Sequence, residues 1–204
     1  MMSYKIFPYS DGGQTYYLID NGYVYGLSDA VRASKFPMEA GCASLVMGGK
    51  GRHTDYLAMC ESTSGEDNFL SGILVRFDLT LTVKAWIEFE RYHFAQIVSS
   101  QSTMHRLKDM DLRTAFSAYV DPFMVLIMQD LQKRYAETKD QEDYLRMLYS
   151  CPAGLRLTAQ VVTNYRQLKT MYKQRQKHRL PEWRAFCRWI ETLPESEWLT
   201  THGR

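Results

Sequence analysis

The clearest periodicity in the chain is ILVRFDLTLTV at 73–83, where Ile73, Val75, Phe77, Leu79, Leu81 and Val83 take every second position. Side chains repeat at period two on one face of a strand, so this stretch predicts a strand with one buried face. The first third carries further strand signals. TYYLI (15–19) and YVYG (23–26) flank Asp20-Asn21-Gly22, and an Asn-Gly pair supplies the positive φ angles of a tight hairpin turn. ASLVM (43–47) and YLAMC (56–60) extend the strand-like series across the glycine-rich connection GGKGRH, and STSGEDN (62–68) reads as a polar loop. At VKAWIEFERYHF the spacing turns helical, with Ala85, Phe89, Tyr92 and His93 near one face.

Beyond Asp109 the pattern is helical. Asp121-Pro122 predicts a helix start, with Asp as cap and Pro at the first position, and Phe123, Ile127, Leu131 and Tyr135 follow at helical spacing. A charged break, ETKDQED, precedes a short helix that ends near Cys151-Pro152. In TNYRQLKTMYKQRQ, Thr163 or Asn164 is the expected cap, and Tyr165, Leu168 and Tyr172 form the stripe. Pro181 opens a last helix with Trp183, Phe186, Cys187 and Ile190 on one face. The expected class is α+β: one domain over 1–204, an antiparallel-rich sheet early and a helical C-terminal half.

Composition adds exclusions. With 204 residues, 45% apolar composition and a formal charge of +2, the chain can bury one core and has no one-sign tract that would mark a nucleic-acid arm. Specific nucleic-acid binding is not expected. No apolar run reaches the length of a membrane span, and MMSYKIFPYSDGG lacks the regions of a signal peptide, so a cytoplasmic protein is expected. Cys42, Cys60, Cys151 and Cys187 are far apart and fit neither a disulfide framework nor a zinc site. Met104, Met110, Met124 and Met128 read as core filler, and no histidine pattern predicts a metal.

Chemistry concentrates in YHFAQIVSSQSTMHRL, residues 92–107. Small hydroxyl residues in a loop offer hydroxyls and approachable backbone N–H groups to a phosphate, and Arg106 adds a charged partner. The alternative is a serine-rich turn that only caps the next helix. Arg166 and Arg175 are nine residues apart on a predicted helix and so do not share a face closely; they reach separate parts of an extended ligand or lie in solvent. GGKGRH lacks the P-loop pattern, and Ser102 with His105 lacks a nucleophile elbow.

Two stretches together resemble the flavin-dependent thymidylate synthases. The signature of that family runs Arg-His-Arg, seven residues, then Ser; YHFAQIVSSQSTMHRL aligns without gaps, with His93 on the central histidine and Gln101-Ser102 on a Gln-Ser pair. Downstream, Asn164-Tyr165-Arg166 matches an Asn-x-Arg, Arg175 matches an arginine nine positions on, and Glu182-Trp183-Arg184 falls on a final helical motif. The resemblance covers roughly residues 72 to 190. It implies that His93, Asn164 and Arg166 contact FAD. It places Ser102 at the phosphate of deoxyuridylate and gives Arg175 the catalytic task of orienting and polarising the pyrimidine; with the local chemistry of the loop, the expected substrate-binding residues are Ser99, Ser100, Gln101, Ser102, Arg106 and Arg175, although Ser99 and Ser100 stand where the family keeps Asn and Glu. NADPH and methylenetetrahydrofolate would be the co-substrates, and the assembly a homotetramer with shared sites.

The chain also departs from that pattern. Tyr92 and Phe94 replace both signature arginines, Met104 replaces the arginine after the final serine, and Leu148 stands where a further arginine is expected. Each lost guanidinium removes charged hydrogen bonds worth about 1.5–3 kcal/mol. Two functional expectations result: a divergent flavin-dependent nucleotide methylase, or a non-catalytic, phage-type oligomer that sequesters or senses a nucleotide. A third is an assembly module that keeps only the fold.

Overall fold

The structure is a computed structural model that describes residues 2–11, 14–41, 49–62 and 64–201. The alternating stretch is strand β3 (Leu74–Thr82), and Ile73, Val75, Phe77, Leu79 and Leu81 on its inner face are fully buried, as their spacing predicts. It lies in the middle of a five-stranded antiparallel sheet with β1 (Met2–Asp11), β2 (Gln14–Tyr25), β4 (Gln96–Ser100) and β5 (Arg156–Asn164), in the order β1-β2-β3-β5-β4.

The inner face is covered by α1 (Leu27–Ala33), α3 (Val83–Phe89), α8 (Tyr165–Arg175) and α9 (Pro181–Ile190). Aromatic rings fill the space between. Phe77 lies 4.6 Å from Trp189, and Phe89 stacks on Trp183 at 6.0 Å. Short helices α2 (Arg52–Met59) and α10 (Glu197–Thr200) close this layer, where Asp55 accepts the Trp198 indole N–H at 2.8 Å. A second cluster of Leu107, Leu112, Phe116, Met128, Met147 and Leu155 unites α4 (Thr103–Arg106), α5 (Leu112–Ala115), α6 (Pro122–Thr138) and α7 (Gln141–Tyr149) into a helical lobe beside the sheet. The helix starts follow the predicted caps: Asp121 accepts the Phe123 N–H, and Asn164 the Gln167 N–H.

Several expectations are corrected. Asp20-Asn21-Gly22 is not a hairpin turn. β2 runs through it, and Asn21 at φ 51° forms a bulge where the β2–β3 register shifts. β2 pairs antiparallel with β1 instead, from Met2 opposite Val24 to Asp11 opposite Gln14. YLAM (56–59) belongs to α2 and Cys60 caps its end, because Thr54, Leu57 and Ala58 bury one helical face that a five-residue window does not reveal. ASLVM lies outside the described residues. Most strands are early, as expected, but the sequence reading did not include β5, which sits between β3 and β4 and whose inward residues Ala159, Val161 and Thr163 are too small and mixed to stand out as apolar alternation. Of the four methionines read as core, Met128 is fully buried, whereas Met104 and Met124 are exposed.

One end of the sheet holds a buried polar cluster. Asp11, Ser117, Arg156, Thr82 and Glu182 are all buried; Ser117 donates to Asp11 at 2.6 Å, Arg156 to the Thr114 carbonyl at 2.6 Å, and the Thr82 hydroxyl to Glu182. Burial, and then the nearby Asp11 charge, push the Glu182 pKa above its ordinary 4.5 against the opposing hydrogen bonds from Thr82. A raised folded-state pKa means that the folded protein holds this proton more tightly than the unfolded chain. Its stabilising contribution is complete below pH 4.5 and is lost as pH rises toward the folded value. Glu182→Gln is therefore expected to gain stability relative to the parent as pH rises from about 4 to about 7, read by urea denaturation at each pH. A constant difference across the range would contradict this assignment.

Candidate functional site

Residues 92–107 form a strand and a helical turn rather than one loop. Ser99 and Ser100 lie on edge strand β4, where a bulge between Ile97 and Ser99 shifts the pairing with β5. Gln101 clamps the edge twice: its N–H donates to the Thr158 carbonyl at 2.9 Å, and its side-chain oxygen accepts the Thr158 N–H at 3.0 Å. Ser102 stands at the N-cap position of α4 but makes no side-chain capping bond, so the reading of this segment as a mere cap fails. Ser99, Ser100, Gln101 and Arg106 are exposed, and Arg106 forms no ion pair among the described residues. Tyr144 fixes the segment from the lobe by donating to the Met104 carbonyl at 2.7 Å.

Asn164 and Arg166 meet at the start of α8. With Ser62, Ser71, Phe94 and Thr170 they line a cleft of about 310 Å³. His93 is exposed beside this cleft but does not line it. Arg166 is held from behind: its Nε donates to Asp67 at 2.9 Å, and a terminal nitrogen donates to the Ser62 carbonyl. Asp67 is completely buried and also takes Lys169 at 2.9 Å, while Lys169 donates to the Ala58 carbonyl at 2.8 Å and to that of Cys60. Sequence reasoning missed Asp67 and Lys169. Lys169 follows Arg166 by one helical turn, which is a weak signal, and Asp67 sits in a stretch that looks like an ordinary polar loop.

Arg175 ends α8 in a different environment. Its Nε donates to the Tyr92 hydroxyl at 2.7 Å, a terminal nitrogen donates to Glu88 at 2.8 Å, and the guanidinium lies 4.7 Å from the Trp183 ring centre. The Tyr92 hydroxyl donates onward to Gln174 at 2.9 Å, and burial raises its pKa although Arg175 pulls the other way. His178 approaches Glu88 at 3.2 Å, and burial lowers its pKa, opposed by the Glu88 charge. The residues that the sequence groups together therefore occupy three places. Gln101 lies opposite Thr158, six residues and so ~20 Å along β5 from Asn164, and Arg175 is ~14 Å along α8 from Arg166.

The cleft at Asn164 does not fit a flavin dinucleotide as one chain builds it. Its guanidinium is paired with Asp67, the neighbouring Lys169 is turned to Asp67 and to the Ala58 and Cys60 carbonyls, and the Phe94 ring in the lining supplies no donor.

No protein-family model matches the chain, and no curated protein sequence does. The fold is nevertheless that of known structures. The chain is similar to thymidylate synthase X from Helicobacter pylori, solved with FAD and dUMP, at a TM-score of 0.67 and 18% identity, over 88% of this chain and 94% of that one. It is also similar to the UMP/dUMP methylase PolB from Streptomyces cacaoi, solved with 5-Br dUMP, at a TM-score of 0.63 and 12% identity, over 91% and 94%. The flavin-dependent thymidylate synthase-like fold expected from the motifs is thus present.

Asp67→Ala would leave Arg166 and Lys169 facing one another without their shared carboxylate. A loss of about 3–5 kcal/mol is expected in urea denaturation, the range for breaking a buried pair by removing one partner. A loss below about 1 kcal/mol would mean that the network contributes little to folding.

Proposed function

We propose that the protein binds a pyrimidine nucleotide monophosphate at Ser99, Ser100, Gln101, Ser102 and Arg106, as an oligomer that shares its sites between subunits. The observation that carries this reading is the serine segment itself. The Ser99 and Ser100 hydroxyls on the clamped edge strand and Arg106 on α4 are exposed, and the half-buried Ser102 hydroxyl makes no capping bond, on a framework like those of two proteins solved with uridine nucleotides. Hydroxyl donors and one guanidinium are the equipment for holding a phosphate. With Arg166 committed to Asp67 and Arg175 to Glu88, the cations that would serve flavin and base are already engaged, which favours binding without methyl transfer.

A flavin-dependent methylase is the second reading, favoured by Asn164 and Arg166 lining one cleft. In that reading Asn164 and Arg166 would contact FAD, which would supply the one-carbon and redox chemistry together with methylenetetrahydrofolate and NADPH, and Arg175 would orient the pyrimidine. Titration of purified protein with dUMP and UMP by calorimetry separates the two. The first reading expects a colourless protein with saturable heat, and affinity reduced about tenfold by Ser102→Ala or by Arg106→Ala. Flavin absorbance together with methylation dependent on NADPH and methylenetetrahydrofolate would instead establish the second, and absence of heat with both nucleotides in a colourless protein would sink both.

Oligomerisation is supported by the outer face of α6. Phe123, Leu126 and Ile127 are 75%, 58% and 50% exposed, an apolar stripe on a helix whose opposite side already packs on the lobe. A second copy of the chain covers it in this proposal. Leu126→Asp combined with Ile127→Asp should reduce the mass measured by light scattering to that of a smaller species; an unchanged mass would place the interface elsewhere.

A further inference from the structure

We infer that a second small-molecule site lies at the Thr82–Gly154 end of the sheet, and that it takes a small organic anion with a flat apolar body. A cavity of about 560 Å³ opens there, where the end of β3, the turn before β5 and the start of α9 meet. That volume is in the range of sites that enclose small molecules. Its floor is polar and well ordered. Thr82, Ser117 and Glu182 are 5%, 7% and 4% exposed, with Thr82 donating to Glu182 and Ser117 to Asp11.

The rim carries positive charge without matching carboxylates. Lys84, Arg179 and Arg184 surround the opening. Among the described residues Arg179 has no ion-pair partner, and Lys84 has only Glu88 at 3.9 Å. Arg184 directs one terminal nitrogen to the backbone carbonyls of His178 and Arg179, at 2.6 and 2.9 Å, which fixes its plane while engaging no acid. The single acidic side chain in the lining is Glu182, whose burial favours its neutral form. Three cations around a concave surface with apolar walls focus a positive potential on whatever enters.

Between rim and floor the surfaces are flat or small. The Tyr119 ring stands largely in solvent at one side, Pro181 and Ala153 add apolar surface, and Val120 packs so closely on Gly154 that a side chain there would clash with it. A planar body is therefore accommodated with its carboxylate or phosphate at the rim and a polar edge toward Ser117 and Glu182. The cavity shares no residue with the proposed nucleotide site. The serine segment meets β5 at Thr158, two residues and so ~7 Å along the strand from Arg156, so the two sites lie toward one end of the sheet and are distinguished by their separate lining residues.

Calorimetry of the full chain with naphthyl phosphate, naphthoate and uncharged naphthol tests the inference. The two anions are expected to bind one per chain, with naphthol about tenfold weaker or more; whichever anion binds tighter identifies phosphate or carboxylate as the preferred group. Lys84→Gln combined with Arg179→Gln, both on the surface, should weaken the anions about tenfold while leaving naphthol and the melting temperature unchanged. Ala153→Trp should block all three ligands, and Arg106→Ala should block none. Absence of heat with both anions, an anion affinity that survives the double substitution, or competition by saturating dUMP would overturn the assignment. Because the naphthyl and dUMP titrations are read separately, either proposal can fail while the other stands.

Discussion

The pairing of β3 with β5 positions nearly everything of chemical interest in this molecule. Nine consecutive residues pair without a register shift, from Leu74 opposite Asn164 to Thr82 opposite Arg156. Because side chains alternate, this one register sends Phe77, Leu79, Ala159 and Val161 into the core and leaves Asp78, Thr80, Thr158 and Gln160 on the other face. It also fixes the ends. Asn164 passes directly from strand to cap of α8, so the angle of that helix and the placement of Arg166 follow from the last pair, while the serine strand β4 hangs on the outer side of β5. A one-residue slip would invert both faces and carry Asn164 away from Arg166's partner.

Charge is used in this fold mainly to hold elements together. Asp67, stripped of water, is tolerable only because two cations and their carbonyl partners surround it, and the result ties residues 58–67 to α8. The same economy operates at Arg175. Tyr92 accepts the Arg175 N–H and offers it the face of its ring. Glu88 completes the neutralisation and draws His178 into the same group.

Much of this was legible in the chain, and the gaps have physical causes. Strong local signals translated directly: the alternation at 73–83, Asp121-Pro122, the Asn164 cap and the aromatic face of α9 each depend on contacts within one element or on a single buried face. Asn21-Gly22 misled because a left-handed residue serves a bulge as well as a turn, and only pairing with β3 distinguishes them. β5 went unseen because a central strand covered by aromatic rings can present small inward residues such as Ala159. The candidate residues could be named individually, but their engagement could not. Asp67 lies 99 residues before Arg166, and Glu88 lies 87 before Arg175, so no local pattern records either pair.

The spacing of the remaining groups bears on how a ligand is held. Within one chain, the serine segment and the Asn164 cleft are separated by ~20 Å of β5, more than a nucleoside monophosphate spans. A nucleotide bound at the serines therefore cannot also touch Asn164 of the same subunit. The α6 stripe presents a complementary deficit, because its apolar side chains lose free energy for every exposed surface they keep in water, at about 25 cal/mol per Å². In the proposed reading both deficits have one resolution: assembly of copies covers α6 and brings residues of a neighbouring subunit toward the serine segment. Site completion is then coupled to association, since a ligand that bridges subunits stabilises the assembled form by its binding free energy.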